Sequence, residues 1–328
     1  MTSKQRRTVG RPKRAHVKYA GIQPSTIERY RAAVLLFFDF LHDFGYATPN
    51  SFAELDHLAG EYINHLYLDD APMYWAADFV SGLKRLYSRS RRQLDTATRY
   101  FDNWSKTIVR KRAAPVPAPL LMAMTALALL QRNGQLAFSL LIGFLGLMRS
   151  GEILRLTARQ CSIHGGGRML FITLPHSKGG RRRGEIEHIK IYDPAAIRLA
   201  ELVLRQLRPS STVCRGKWKT LANDINRLAS HFGAGSVYFT PYCLRRGGAT
   251  WHFTKYNEYD ATQSLGRWQS HKTAKIYIDD ATADLVLVSL PEWGSHRVAR
   301  AVQALPDAIK SYASSSPPPP LEGWGQCA

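Results

Sequence analysis

The sequence predicts a mainly α-helical protein of two domains, with a small antiparallel β-sheet in the second. Three observations predict it. Apolar residues recur at helical spacing through four segments before residue 107. A basic, proline-rich stretch over 108–118 then breaks the pattern. Beyond it, apolar helical segments resume around two short strand-like runs, 169–174 and 185–191, the second of them alternating in period two. The chain has 328 residues, enough for two cores, and its 45% apolar content can fill them. The expected division is a disordered basic arm (1–19), a helical domain (20–107), a linker (108–118), a second domain (119–290) and a partly disordered tail (291–328).

In chain order, the arm carries Lys4, Arg6, Arg7, Arg11, Lys13, Arg14 and Lys18 and no acid. It reads as a solvated tail or an import patch. Ser25-Thr26-Ile27-Glu28 has the form of a capping box, followed by Ile27, Tyr30, Val34, Phe37 and Leu41 on one helical face and a left-handed stop at Gly45. Ser51 to Glu54 opens a second helix in the same way, with Leu55, Leu58, Tyr62 and Leu66 apolar. Pro72 suits the first turn of a third, carrying Trp75, Phe79, Leu83 and Leu86. Leu94, Ala97, Phe101 and Trp104 mark a fourth. Between the last two lie Arg89, Arg91 and Arg92, and the linker adds Arg110, Lys111 and Arg112. Both clusters are candidate phosphate contacts, although a charge run is more often a solvated face.

The second domain opens with buried-type helices over 120–131 and 135–147 and a short one from Glu152. The strand-like runs 169–174 and 185–191 flank a glycine-rich basic hairpin loop holding Lys178, Arg181, Arg182 and Arg183. Helices follow over roughly 195–207, 219–231 and 241–253, with short ones near 261–265 and 272–277. The stretch 314–320 is proline-rich and of low complexity.

Composition narrows the function classes. Lys and Arg total 45 against 25 Asp and Glu, a formal charge of +20. Such an excess concentrates polyanions, and it also serves solubility alone. Cys161, Cys214, Cys243 and Cys327 form no C-x-x-C pair and are too sparse for a disulfide framework. The eleven histidines show no metal-binding spacing, so no metal or cofactor is expected. No apolar run reaches membrane-spanning length. The expected location is intracellular: the nucleus in a eukaryote, otherwise the cytoplasm or nucleoid.

The residues that carry chemistry are far apart in sequence. Transfer of a DNA phosphodiester needs an attacking oxygen, a proton for the leaving oxygen, and cations on the nonbridging oxygens. Guanidinium forks match a phosphate and stabilise the charge that builds on it. Arg149 and Arg245 can supply that clamp, Lys178 the proton, and Tyr277 the attack. A phenol near pKa ~10 needs neighbouring cations to ionise. Each residue alone reads as structural, and Tyr256 and Tyr259 are rival nucleophiles.

Order and spacing bring in a resemblance. Gly146 to Ile153, with Arg149 three positions before Glu152, resembles the first arginine box of the tyrosine recombinases, or phage-type integrases. Ser177-Lys178-Gly179-Gly180 between two strands resembles that family's hairpin lysine. Leu244 to Thr250 resembles the second arginine box. Leu265-Gly266-Arg267-Trp268 resembles the Leu-Gly-His/Trp segment, and Tyr277 follows Trp268 by nine positions, where the family has its nucleophile. The resemblance covers about residues 120–285.

It implies a two-domain clamp on duplex DNA, with a SAM-like core-binding domain on one face and the catalytic domain on the other. It implies that Arg149 and Arg245 hold the scissile phosphate and Lys178 protonates the 5′ oxygen. Trp268 would donate or buttress, Glu152 would orient its neighbours, and Tyr277 would form a 3′-phosphotyrosine without ATP or metal. It further implies a homotetramer on DNA, and no membrane or small-molecule substrate.

Tyr242 departs from the family, which has His or Lys at that position. A phenol carries no positive charge and is a poor base at neutral pH. Tyr242 and the Gly-Arg-Trp wording are more similar to recombinases of eukaryotic mobile elements such as cryptons or DIRS-type elements. Two other readings stand beside strand exchange: a DNA-binding protein that lost catalysis, and a topoisomerase IB-like nicking-closing enzyme. Arg246 and Arg267 read as scaffold ion pairs or outer phosphate contacts, and His252 and His271 as packing or surface residues.

Overall fold

A computed structural model of the chain describes residues 22–108 and 112–314. The basic arm, Arg110, Lys111 and the proline-rich end from 315 lie outside the described residues. The chain divides into two compact units, Met1–Lys111 and Arg112–Ala328.

The first unit packs four helices, α1 (Pro24–Asp43), α2 (Phe52–Leu68), α3 (Met73–Leu86) and α4 (Asp95–Thr107), around Phe37, Tyr62 and Phe79. The Phe37 and Phe79 ring centroids are 5.0 Å apart, and Tyr62 meets Phe79 edge-on at 4.9 Å. Arg29 of α1 donates to Asp78 of α3 at 2.9 and 2.5 Å. Asp56 of α2 accepts from the Thr96 and Ala97 amides at 2.9 Å, tying down the start of α4.

Ser51 caps α2 as expected, accepting from the Glu54 amide at 3.1 Å. Ser25 does not cap α1. The helix begins at Pro24, whose missing N–H needs no partner, with Gln23 at the N-cap and no side-chain cap. Gly45 adopts φ +72° just beyond the end of α1. Residues 88–92 form a short 3-10 helix that exposes Arg89, Arg91 and Arg92. It is held from below by buried Ser90, which donates to the Leu83 and Tyr87 carbonyls at 3.1 and 2.7 Å.

The second unit is helical around a three-stranded antiparallel sheet. Its elements run α5 (Ala118–Leu130), α6 (Gly134–Leu145), α7 (Ser150–Arg155), β1 (Cys161–His164), β2 (Met169–Leu174), α8 (Lys178–Arg183), β3 (Glu187–Ile191) and α9 (Pro194–Leu204). They continue with α10 (Trp218–Ser230), α11 (Tyr242–Tyr256), α12 (Tyr259–Gly266), α13 (His271–Lys275), α14 (Asp280–Val288) and α15 (Glu292–Ser314). The sheet order is β1-β2-β3, with Ile172 opposite both Cys161 and Ile189. α5 and α6 are the centre of the core, as their near-unbroken apolar runs require.

The second unit differs from the sequence expectations, which had no counterpart of α14 and began the second strand at 185. β1 adds a strand, since four residues are too few to show a period. The hairpin between β2 and β3 contains α8, whose start is capped by Ser177 accepting from the Gly180 amide at 2.8 Å and whose end is marked by Gly184 at φ +74°. The segment assigned to a tail is, as far as Ser314, a 23-residue helix packed on α5. It buries Val298, Leu305, Ala308, Ile309 and Tyr312 in the main core. Among the described residues no helix is long and apolar enough to cross a membrane.

Candidate active site

The site is built outward from α11. Gly247 and Gly248 lie so close to the Val116 and Phe144 carbonyl oxygens that neither has room for a Cβ. This contact seats α11 against the end of α6 and aims Arg245 at the turn that follows α6. In that turn Leu147 takes φ +44°, a strained conformation for a bulky residue. The Leu147 carbonyl then accepts from Arg245 Nη1.

A second left-handed residue, Arg267 at φ +57°, closes α12. Its amide donates to Ser264 O at 3.0 Å and the Trp268 amide to Gln263 O at 3.1 Å, a Schellman-type stop without the usual glycine. The Gly266 carbonyl accepts from Arg245 Nη2 at 2.6 Å. Two helix stops thus grip one guanidinium. Arg245 is 0% exposed, and its Nε has no hydrogen-bond partner among the described residues. Burial, then the charges of Arg149 and Arg267, lower its pKa to about 10.

Two acids balance the arginines, each with a side chain only 3% exposed. Glu152 Oε2 accepts from the Arg149 amide at 2.9 Å and from Arg267 Nη2 at 2.7 Å, and Oε1 accepts from Arg149 Nη1 at 2.7 Å. Glu187, pointing inward from β3, places Oε1 2.8 Å from Arg183 Nη2. Its Oε2 lies 3.2 Å from Arg267 Nε and 3.7 Å from Arg149 Nη1. Burial alone would raise the Glu187 pKa, but Ser177, Arg183, Arg267 and Arg149 outweigh it and lower it. Arg149, Arg245 and Arg267 against Glu152 and Glu187 leave positive charge in excess, and the Arg149 side chain keeps 25% exposure.

Tyr277 follows α13 and is pinned to α11. Thr250 Oγ1 donates to the Tyr277 carbonyl at 3.4 Å and accepts from the Asp279 amide at 3.0 Å. Arg246 Nη2 meets Asp279 Oδ2 at 2.8 Å, while its Nη1 donates to Ala113 O at 2.5 Å. The Tyr277 ring packs 4.5 Å from Trp268 and 5.5 Å from Tyr242. Arg245 Cζ stands 4.6 Å from the Trp268 ring centroid and 5.2 Å from that of Tyr277. A cation against these faces is attractive. The Trp268 ring lies directly on Gly266, where a Cβ would overlap it.

Burial works against ionisation of Tyr277. The Tyr242 hydroxyl, the Arg245 charge, and nearby Trp268 and Arg245 donors work for it and prevail, so its pKa falls below 10. Burial and the Tyr277 phenol push Tyr242 up, which keeps it protonated and able to donate. Trp268 Nε1 is buried and makes no well-aligned hydrogen bond among the described residues. The cluster therefore offers an oxygen disposed to ionise, fixed positive charge beneath it, and an indole N–H beside that oxygen.

Of the residues singled out in the sequence, Arg149, Glu152, Tyr242, Arg245, Trp268 and Tyr277 meet here. Lys178 is the first residue of α8. Its side chain, like those of Arg181 and Arg182, lies outside what the structure describes. Arg183 is engaged by Glu185 at 2.6 Å and by Glu187, so its charge is partly neutralised. Arg112 is exposed. Tyr256 stacks near His252, and Tyr259 packs 4.3 Å from Phe253. His252 bonds Thr262 at 2.8 Å and His271 bonds Asp260 at 2.6 Å. No group of three His, Cys, Asp or Glu suited to a metal occurs among the described residues.

Glu187 is a site residue that lies within the strand-like run 185–191 and is not among the candidates drawn from sequence. Its signal is the alternation of β3, which puts 187, 189 and 191 inward and leaves one acid on a buried face.

No family model and no curated protein matches the chain. Among solved structures it is similar to the XerH site-specific recombinase bound to palindromic difH substrate in a post-cleavage complex. That match has 15% identity and a TM-score of 0.40, and covers 69% of this chain and 74% of the other. It is similar to XerA recombinase at 14% identity and a TM-score of 0.39, over 81% and 91% of the two chains. It is similar to the Tn1549 transposon integrase in complex with transposon right end DNA at 12% identity and a TM-score of 0.44, over 83% and 99%.

Proposed function

We propose that this chain is a DNA strand transferase of the tyrosine-recombinase kind, acting in site-specific recombination or integration. The observation that carries the reading is the seat of Tyr277: its ring lies against the Arg245 guanidinium and its hydroxyl is held below its ordinary pKa.

Tyr277 Oη, its proton released to solvent, attacks phosphorus as the phenolate, the P–O5′ bond breaks, and a 3′-phosphotyrosine forms. The departing 5′ oxygen takes a proton from Lys178. The 5′ hydroxyl of a second DNA end then gives its proton back to Lys178 and attacks the phosphotyrosine phosphorus, releasing the tyrosine, so bond energy is conserved. Arg149 is the guanidinium open to a phosphate. Arg245 is sealed beneath Tyr277 and Trp268; it acts by charge in this arrangement and reaches the phosphate directly only once Tyr277 swings out to meet it. Trp268 Nε1, which makes no well-aligned hydrogen bond among the described residues, takes a nonbridging oxygen. Glu152 holds Arg149 and touches no substrate. Tyr242 fills the position of the family's His or Lys by donating to Tyr277, without a charge of its own.

Duplex DNA is the partner, a homotetramer the working assembly, and an intracellular compartment the setting. Residues 20–107 and 119–290 act as binding and catalytic domains joined by 108–118.

The test is capture. Genomic duplex fragments carrying nicks are incubated with the protein, quenched in SDS, and the attached DNA is sequenced. Wild type should give an adduct, and Tyr277→Phe should give none while binding near normally. An adduct with Tyr277→Phe would remove Tyr277 from its role. Binding without any wild-type adduct would favour a DNA-binding protein that lost catalysis, and supercoil relaxation without joint molecules a nicking-closing enzyme.

A further inference from the structure

We infer that Glu187 is a positioning residue that locks the turn bearing Lys178 to the arginine cluster, and so sets protonation of the leaving 5′ oxygen. The inference rests on the strand-transfer reading for its chemistry and on β3 geometry for its structure.

Lys178 stands between Ser177 and Gly179 at the start of α8, and the Glu187 carboxylate is pressed against both neighbours. A Cβ at Gly179 would overlap Glu187 Oε1. Ser177 hydrogen-bonds toward the same carboxylate while its oxygen caps α8 through the Gly180 amide. At the other end of α8, Arg183 Nη2 reaches Oε1 at 2.8 Å. The opposite oxygen faces Arg267 Nε at 3.2 Å and Arg149 Nη1 at 3.7 Å.

One buried acid is therefore shared by the helix that carries Lys178 and by two arginines of the phosphate-facing cluster. A β2–β3 connection would otherwise be free to swing, because loops carry few packing restraints. β3 is anchored in the sheet by its pairing with β2. Glu187 passes that rigidity to the α8 turn. One carboxylate faces three guanidiniums there, so neutralising it leaves all three without their shared partner.

The test uses Glu187→Gln, which keeps shape and removes charge, and two readouts. The first is amide hydrogen exchange on the full chain without DNA. Exchange across residues 178–184 should quicken about tenfold while β1 and β2 stay protected; unchanged exchange there would overturn the inference. The second compares adduct formation on the captured duplex with its normal phosphodiester and with a 5′-bridging phosphorothiolate at the cleaved bond. A thiolate, with a conjugate-acid pKa of ~8.5, leaves without a proton donor.

Glu187→Gln should be slower by about 10²-fold on the oxygen substrate, the lower range for losing an acid catalyst. It should approach wild type on the sulfur substrate, as Lys178→Ala should. An equal deficit on both would show that Glu187 acts through the phosphate clamp or the fold instead, and would sink the inference while leaving Tyr277 chemistry intact. Wild type inert on both would defeat the strand-transfer reading and the catalytic half of the inference with it, and the exchange comparison would still decide the structural half.

Discussion

At the scale of single residues, position 242 bears on how the proposed site can work with a phenol in place of a cation. Tyr242 is neutral, but its hydroxyl is among the groups that lower the pKa of Tyr277 against the effect of burial. Removing that hydroxyl moves the Tyr277 pKa upward, so less phenolate exists at neutral pH. One hydrogen bond contributes about 0.5–1.5 kcal/mol, or roughly 2- to 10-fold. Tyr242→Phe should slow adduct formation by that factor at pH 7 and shift the rising limb of the pH–rate profile to higher pH. A profile that keeps its wild-type position would show that Tyr242 only fills space.

At the scale of elements, α11 organises the centre. It carries Arg245 to the arginine cluster, and one residue later Arg246 to Asp279, which caps α14 by accepting from the Thr282 amide at 3.1 Å. Burial raises the Asp279 pKa, but Thr282 and then Arg246 lower it further, so the folded value lies below the ordinary one. A depressed carboxylate stabilises the fold above its unfolded pKa and loses that contribution as pH falls through the folded value, here below about pH 4. Asp279→Ala should therefore destabilise the second unit by about 3 kcal/mol at pH 7, because it leaves Arg246 buried and unpaired. The gap from wild type should narrow in acid. Urea unfolding at pH 7 and at about pH 3 checks this, and a gap constant with pH would show that the ion pair is not its source. Much of this level was legible in the sequence. The strand-like runs 169–174 and 185–191 showed themselves by composition and period, the second being strand from Glu187, and the resemblance put Trp268 and Tyr277 in one site. The rest was hidden for physical reasons. β1 is too short to show a period. Gly179-Gly180 and a run of arginines disguise α8, which exists because Ser177 caps it and Glu187 holds Arg183. α15 contains Pro306 and a strongly polar face, so only its packing on α5 reveals it. The left-handed turns at Leu147 and Arg267 leave no trace in residue type, since glycine is what such turns ordinarily use.

At the scale of the whole molecule, the formal charge of +20 needs a destination. In the second unit much of the arginine charge near the site is bound to Glu152, Glu185 and Glu187, so it fixes geometry more than it attracts polymer. The first unit is different. Arg89, Arg91 and Arg92 stand exposed on a 3-10 helix that buried Ser90 holds rigid. Guanidiniums on a fixed turn suit a phosphate backbone, and backbone contacts add affinity without reading bases. Each neutralised phosphate on B-DNA contributes about 0.9 to the slope of log K against log salt. Replacing all three arginines by alanine should thus lower the magnitude of that slope by up to about 2.7, measured on duplex DNA between roughly 50 and 200 mM salt. The loss should be the same on captured and unrelated sequences, so the ratio of the two affinities stays constant. On the proposed reading, in which this turn only grips the backbone, it should also leave the adduct yield of already bound protein unchanged. A slope that does not move would place the turn in solvent. A slope that moves only on the captured sequence would make it a reader of bases, and the proposed division into a binding and a catalytic unit would have to be redrawn.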